Sequence, residues 1–115
     1  MESLTEGMFY VLMAYVDGEK CGIEAAAFVE RVSDGRVMLG PATLYTILGR
    51  FVRERYLEEI DVDGRKRTYR ITERGKNAYQ AEIDRLHTVL RDAQKLWEGG
   101  FSHEDGHTPD PLPAV

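Results

Sequence analysis

Three adjacent cations, Arg65, Lys66 and Arg67, follow Gly64 in the run Asp61-Val62-Asp63-Gly64-Arg65-Lys66-Arg67. Upstream, Thr43, Tyr45, Thr46 and Arg50 fall within a stretch whose spacing gathers polar residues on one side of a helix. Neighbouring cations repel one another and favour a polyanion nearby. Hydroxyls and a guanidinium on a helix face can meet base edges or phosphates, and Arg can grip guanine through two hydrogen bonds. The chemistry on offer is therefore binding. No Ser/His/Asp set, phosphate-cradling loop or cluster of carboxylates occurs at usable spacing, so no catalytic residues and no enzyme are expected. His103 and His107 could share a metal only on a helix, which Gly106 and Pro109 oppose; neither a metal site nor a cofactor is expected.

The elements that must position these groups can be read from periodicity. Ser3 and Glu6 have capping-box spacing, and Leu4, Met8, Val11, Leu12 and Tyr15 then repeat at helical intervals up to the Asp17-Gly18 break. A second helix is predicted from about Gly22 to Ser33, with Ala25, Phe28, Val29 and Val32 inward and Gly35 just beyond its end. A third starts at Gly40-Pro41, where the missing proline N–H costs nothing because that donor has no helical partner. Leu44, Ile47, Leu48 and Phe51 gather on its buried side, opposite Thr46, Gly49, Arg50 and Arg53. Leu57 to Ile60 and Thr68 to Ile71 then read as two short strands around a cationic hairpin loop. Thr72 suits the cap of a fourth helix, with Glu73 at the positive end of its dipole.

Tyr79, Ile83, Leu86, Leu90, Ala93 and Trp97 follow as a heptad seam along that fourth helix. A helix over 73–97 would be roughly 37 Å long, whereas the preceding chain should pack into a ball of about 30 Å. Part of the seam must therefore leave the domain, and a second copy of the chain is the simplest partner. These readings give a mainly α fold with a small two-stranded β wing: a winged helix-turn-helix over 1–72, a C-terminal dimerisation helix over 73–98, and a tail over 99–115 whose composition predicts disorder.

Charge is divided to match. Residues 36–76 hold ten Lys/Arg against six Asp/Glu, whereas the remainder holds five against fourteen, within a net charge of -5 for the chain. An acidic total thus conceals a basic patch, and the patch is what a phosphate backbone would meet. A polar helix face alone could be merely solvated, and a cationic hairpin alone could be an ordinary turn; side by side they point to double-stranded DNA. The expected contacts are Pro41, Thr43, Tyr45, Thr46, Arg50, Gly64, Arg65, Lys66 and Arg67. One cysteine, Cys21, excludes an internal disulfide framework. No apolar run approaches the roughly 20 residues needed to span a bilayer, so no membrane partner and a cytoplasmic location are expected.

The order of several short motifs resembles the PadR-type winged-helix transcriptional regulators. They are Leu4-Thr5-Glu6, Cys21-Gly22, Ser33-Asp34-Gly35, Leu39-Gly40-Pro41-Ala42-Thr43-Leu44-Tyr45, Gly64-Arg65-Lys66-Arg67-Thr68-Tyr69 and Ile71-Thr72-Glu73-Arg74-Gly75, covering about residues 4–97. The resemblance implies a dimeric, repressor-like regulator whose third helix enters the major groove and whose last helix serves dimerisation. One departure is Gly22-Ile23, where family members often carry Gly-Tyr. A homodimer on a two-fold symmetric operator would place half-sites about one helical turn apart. A small aromatic effector could stack on Trp97, in a pocket walled by Met8, Leu12, Tyr15, Leu90 and Ala93. The alternatives are a small-molecule-binding dimer or a protein interaction module on the same scaffold.

Overall fold

A computed structural model describes residues 4–100, and the local sequence explains where most elements start and stop. Helix α1 (Glu6–Asp17) is capped by Thr5, whose Oγ1 accepts the Met8 N–H at 3.2 Å. Ser3, the expected cap, lies outside the described residues. At the other end Lys20 Nζ donates to the carbonyls of Ala14 and Gly18, placing a cation where the helix dipole is negative. Lys20 and Cys21 form strand β1 (Lys20–Cys21), and Cys21 is also the N-cap of α2 (Gly22–Val32).

Helix α2 ends in paired bonds, Gly35 N–H to Glu30 O at 2.8 Å and Asp34 N–H to Arg31 O at 3.2 Å, with Asp34 in the left-handed region. The buried Ser33 hydroxyl donates to Val29 O at 2.7 Å and accepts the Val37 N–H at 3.0 Å, tying the helix end to the following loop. Val32, expected inward, is exposed, because the core-facing stripe of this short helix stops at Val29. Helix α3 (Pro41–Arg53) starts at proline and buries Leu44, Ile47, Leu48 and Phe51. It ends in the same double-bond pattern, Tyr56 N–H to Phe51 O at 2.8 Å and Arg55 N–H to Val52 O at 3.1 Å, with Arg55 at φ 63° where glycine is usual.

The two-stranded wing is present, and its sheet gains a third, very short strand that was not expected. Strands β2 (Leu57–Asp63) and β3 (Lys66–Ile71) are joined by β1 into an antiparallel sheet of order β1-β3-β2, Lys20 opposite Tyr69 and Cys21 opposite Thr68. A strand of two residues is too short to show periodicity. The hairpin strands are also longer than expected, since cross-strand pairing continues through Val62–Arg67 and Asp63–Lys66. The loop is only Gly64-Arg65, with Gly64 at φ 63°, a conformation a hairpin of this length needs and an L side chain resists. A register shift between Glu59 and Asp61 leaves Ile60 as a bulge.

Around one core lie Met8, Val11, Leu12, Ala14 and Tyr15 from α1, Ala25 and Val29 from α2, the four α3 residues, and Tyr56, Leu57 and Tyr69. Fully burying a side chain such as Leu48 or Phe51 contributes about 1.5–3 kcal/mol. Tyr15 and Tyr69 meet edge to face at 6.2 Å, joining α1 to the wing strand.

Helix α4 (Glu73–Gly100) is capped by Thr72, whose Oγ1 accepts the Gly75 N–H at 3.0 Å and donates to Arg55 O at 2.6 Å. The helix runs through Gly99 and Gly100, which composition alone assigns to the tail; helical hydrogen bonding continues past the last apolar residue of the seam. Residues 101–115, where disorder was expected, lie outside the described residues. The chain divides into two compact units, one up to Glu82 and the other from Ile83. In the first, Tyr79 of α4 stacks on Phe9 of α1 at 5.2 Å. In the second, Leu86, Val89, Leu90 and Leu96 are exposed.

Gly75 is buried where α4 begins; a Cβ there would collide with the Tyr56 carbonyl and lie 2.8 Å from Ile71 Cγ1. Gly75→Ala should therefore lower unfolding free energy by about 1–3 kcal/mol. Arg55→Gly should raise it by about 1 kcal/mol, because the left-handed conformation no longer strains a side chain. Denaturant melts of the two variants against the parent chain check both signs.

Candidate nucleic-acid interface

The exposed face of α3 follows from its sequence. With Leu44, Ile47, Leu48 and Phe51 buried, the helical period turns Thr43, Thr46 and Arg50 outward, and Tyr45 remains 50% exposed. Pro41 at the first turn is exposed as well, and so is Gly64 at the wing tip.

A cleft of about 450 Å³ brings part of this face to the wing. It is lined by Tyr45 of α3, by Arg65, Lys66 and Arg67, and by Cys21, Gly22, Ile23 and Glu24 at the start of α2. Tyr45 and the three cations were legible as candidates. The start of α2 was not, although Glu24 stands three residues after the N-cap, a spacing that marks a helix start. Ile23, at the position where the sequence departs from the Gly-Tyr pattern, is 73% exposed on the cleft wall. Thr43, Thr46 and Arg50 share the exposed α3 face but do not line the cleft.

The electrostatics of the cleft are mixed. Glu24 Oε1 accepts the Cys21 N–H at 2.9 Å. Hydrogen bonds from Cys21 hold the Glu24 carboxyl below its ordinary value of 4.5, and Lys66 and Lys20 act in the same direction. Arg67 donates to Glu59 Oε2 at 2.9 Å, whereas no ion pair holds Arg65 or Lys66 among the described residues. Beneath the cleft, burial pushes the Tyr15 phenol far above its ordinary value, and its hydroxyl has no hydrogen-bond partner among the described residues.

The residues expected to wall an effector pocket separate by environment. Met8, Leu12 and Tyr15 are core residues with almost no free surface, because they form the inward stripe of α1. Leu90 and Ala93 are exposed, and Trp97 is half-buried. On the expected dimerisation seam, Tyr79 and Ile83 are half-buried and Leu86 is exposed. Among the described residues no group of His, Cys, Asp and Glu could hold a metal ion, and His103 and His107 lie outside them. Among the same residues no helix is long and apolar enough to cross a membrane.

The family model of the transcriptional regulator PadR-like family matches residues 11–81, more than half of the chain. The chain belongs to the PadR-like family. Sequence comparison with curated proteins finds no match. Among solved structures, this PadR-family chain is similar to a transcriptional regulator from Clostridium thermocellum, at 21% identity and a TM-score of 0.69 over 77% of this chain and 87% of that one. A PadR family transcription regulator from Clostridium difficile is 13% identical, with a TM-score of 0.67 over 80% of this chain and 98% of its own. RosR from H. salinarum is 18% identical, with a TM-score of 0.62 over 79% and 94%. At these identities the likeness is one of fold.

The Glu24 cap of this PadR-family regulator should be visible in acid. A carboxyl more acidic in the folded state contributes stability that is complete above its unfolded titration and lost as pH falls through the folded one. Below pH 4.5 the parent chain should therefore lose stability more steeply than Glu24→Gln, as read from melting temperatures across an acid series.

Proposed function

We propose that this PadR-family regulator binds double-stranded DNA through the exposed α3 face and the wing, acting as a homodimeric repressor on a two-fold symmetric operator. One observation carries the reading: the wing cations Arg65 and Lys66 line the same cleft as Tyr45, which stands on the helix that also turns Thr43, Thr46 and Arg50 outward. A helix face alone or a cationic hairpin alone is commonplace. Their adjacency supplies base-reading groups beside phosphate-binding ones, the two kinds of contact a sequence-specific interface combines.

In this reading α3 lies in the major groove, with Thr43, Thr46 and Arg50 toward base edges and Tyr45 toward the strand beside the wing. Arg65 and Lys66 neutralise backbone phosphates without reading sequence. The homodimer is supported by the second unit, where Leu86, Val89, Leu90 and Leu96 are between 40% and 74% exposed on one helix. Contiguous apolar surface of this kind marks an association site, and a second copy offers a matching one. Repression follows by occlusion, since a dimer seated on its operator blocks whatever must pass there.

Selection of bound sequences from a random DNA pool tests the reading at once. The expected product is an inverted repeat with half-sites about one helical turn apart; recovery of no enriched sequence, with no retention of random duplex at low salt, would sink it. Arg65→Ala combined with Lys66→Ala should weaken binding to operator and random duplex alike. It should also reduce the slope of log affinity against log salt by about 0.9 for each phosphate that is no longer neutralised. Salt titrations of a mobility shift measure this, and sedimentation at micromolar concentration measures the dimer.

A further inference from the structure

The wing cations differ in what they can give a polyanion. Arg67 Nη1 donates to Glu59 Oε2 at 2.9 Å, a diagonal pair across β2 and β3, since Glu59 stands opposite Tyr69 and Arg67 two residues before it. On the other side of the ribbon, Arg70 Nε and Nη2 donate to Glu58 Oε1 at 2.9 and 2.6 Å. The side chains of Arg65 and Lys66 are held by no hydrogen bond or ion pair among the described residues, and Lys66 influences Glu24 only through space.

An Arg beside a carboxylate carries no net charge to a phosphate whether or not the bridge opens, because the carboxylate stays in place and repels the same phosphate. Counterion release, the source of sequence-independent affinity, therefore counts Arg65 and Lys66 and leaves out Arg67. Because phosphate contacts read no sequence, a carboxylate that neutralises one of the wing cations lowers affinity for operator and random duplex alike.

Resting on the DNA-binding reading above, we propose that Glu59 limits the sequence-independent part of DNA affinity by withholding Arg67 from the phosphate backbone. Glu59→Gln keeps the size and hydrogen-bonding capacity of the side chain while releasing Arg67. It should tighten binding to random duplex and to operator alike, several-fold, and steepen both salt slopes by about 0.9, the value for one phosphate contact. The double variant Glu59→Gln with Arg67→Ala should return the slope to that of the parent chain. Glu58→Gln, on the opposite side of the ribbon, should leave the slope alone, which separates a positional effect from a change in net charge. Melting temperatures show that each variant is folded before it is titrated. The proposal is overturned if Glu59→Gln leaves the random-duplex slope unchanged, if Glu58→Gln steepens it equally, or if the double variant keeps the steeper slope. Failure of the underlying reading looks different: the parent chain itself would retain no duplex at low salt.

Discussion

The pairing of Lys20 and Cys21 with Tyr69 and Thr68 determines where the hairpin stands. A two-stranded ribbon is at best marginally stable in water and has no fixed direction of its own. Here β3 is hydrogen-bonded on both sides, and the residue that ends β1 is also the cap of α2. The base of the wing and the start of α2 are thereby parts of one backbone connection. Tyr69, buried against Tyr15, fixes the same strand to α1 from the core side. The position of Arg65 and Lys66 beside Tyr45 follows from these few contacts.

The charge of the chain is organised on a finer scale than its basic and acidic regions suggest. Four acidic residues of β2 face a β3 that carries Lys66, Arg67 and Arg70, and two of the resulting pairs are ion pairs within 2.9 Å. Exposed pairs of this kind add little to stability, about 0–1 kcal/mol each. Their larger effect is on what charge remains available at the surface.

Much of this was legible in the sequence where a period or a special residue marked it. The buried stripe of α3, the proline at its start, the Thr72 cap and the outward Thr46 and Arg50 all stand as read. The third strand was not legible, because two residues cannot show alternation. The full length of the hairpin was hidden because Asp61, Val62 and Asp63 look like loop residues, and only cross-strand bonding places them in a strand. The pairing of Arg67 with Glu59 was invisible for a similar reason: its partner, eight positions away, is set by register. At the cleft, Ile23 departs in sequence from the Gly-Tyr pattern, while its place on the wall depends on where α2 starts in space.

The bulge at Ile60 divides the hairpin into a base, aligned with the core, and a tip that carries the cations. A bulged strand bends and twists more strongly at the extra residue, so the tip is aimed independently of the pairing that secures the base. Insertions or deletions of matched residue pairs beyond Ile60 would alter how far the finger extends while leaving the folded nucleus alone. Reach toward a partner is in this way a trait that descendants of the chain could vary without rebuilding the domain.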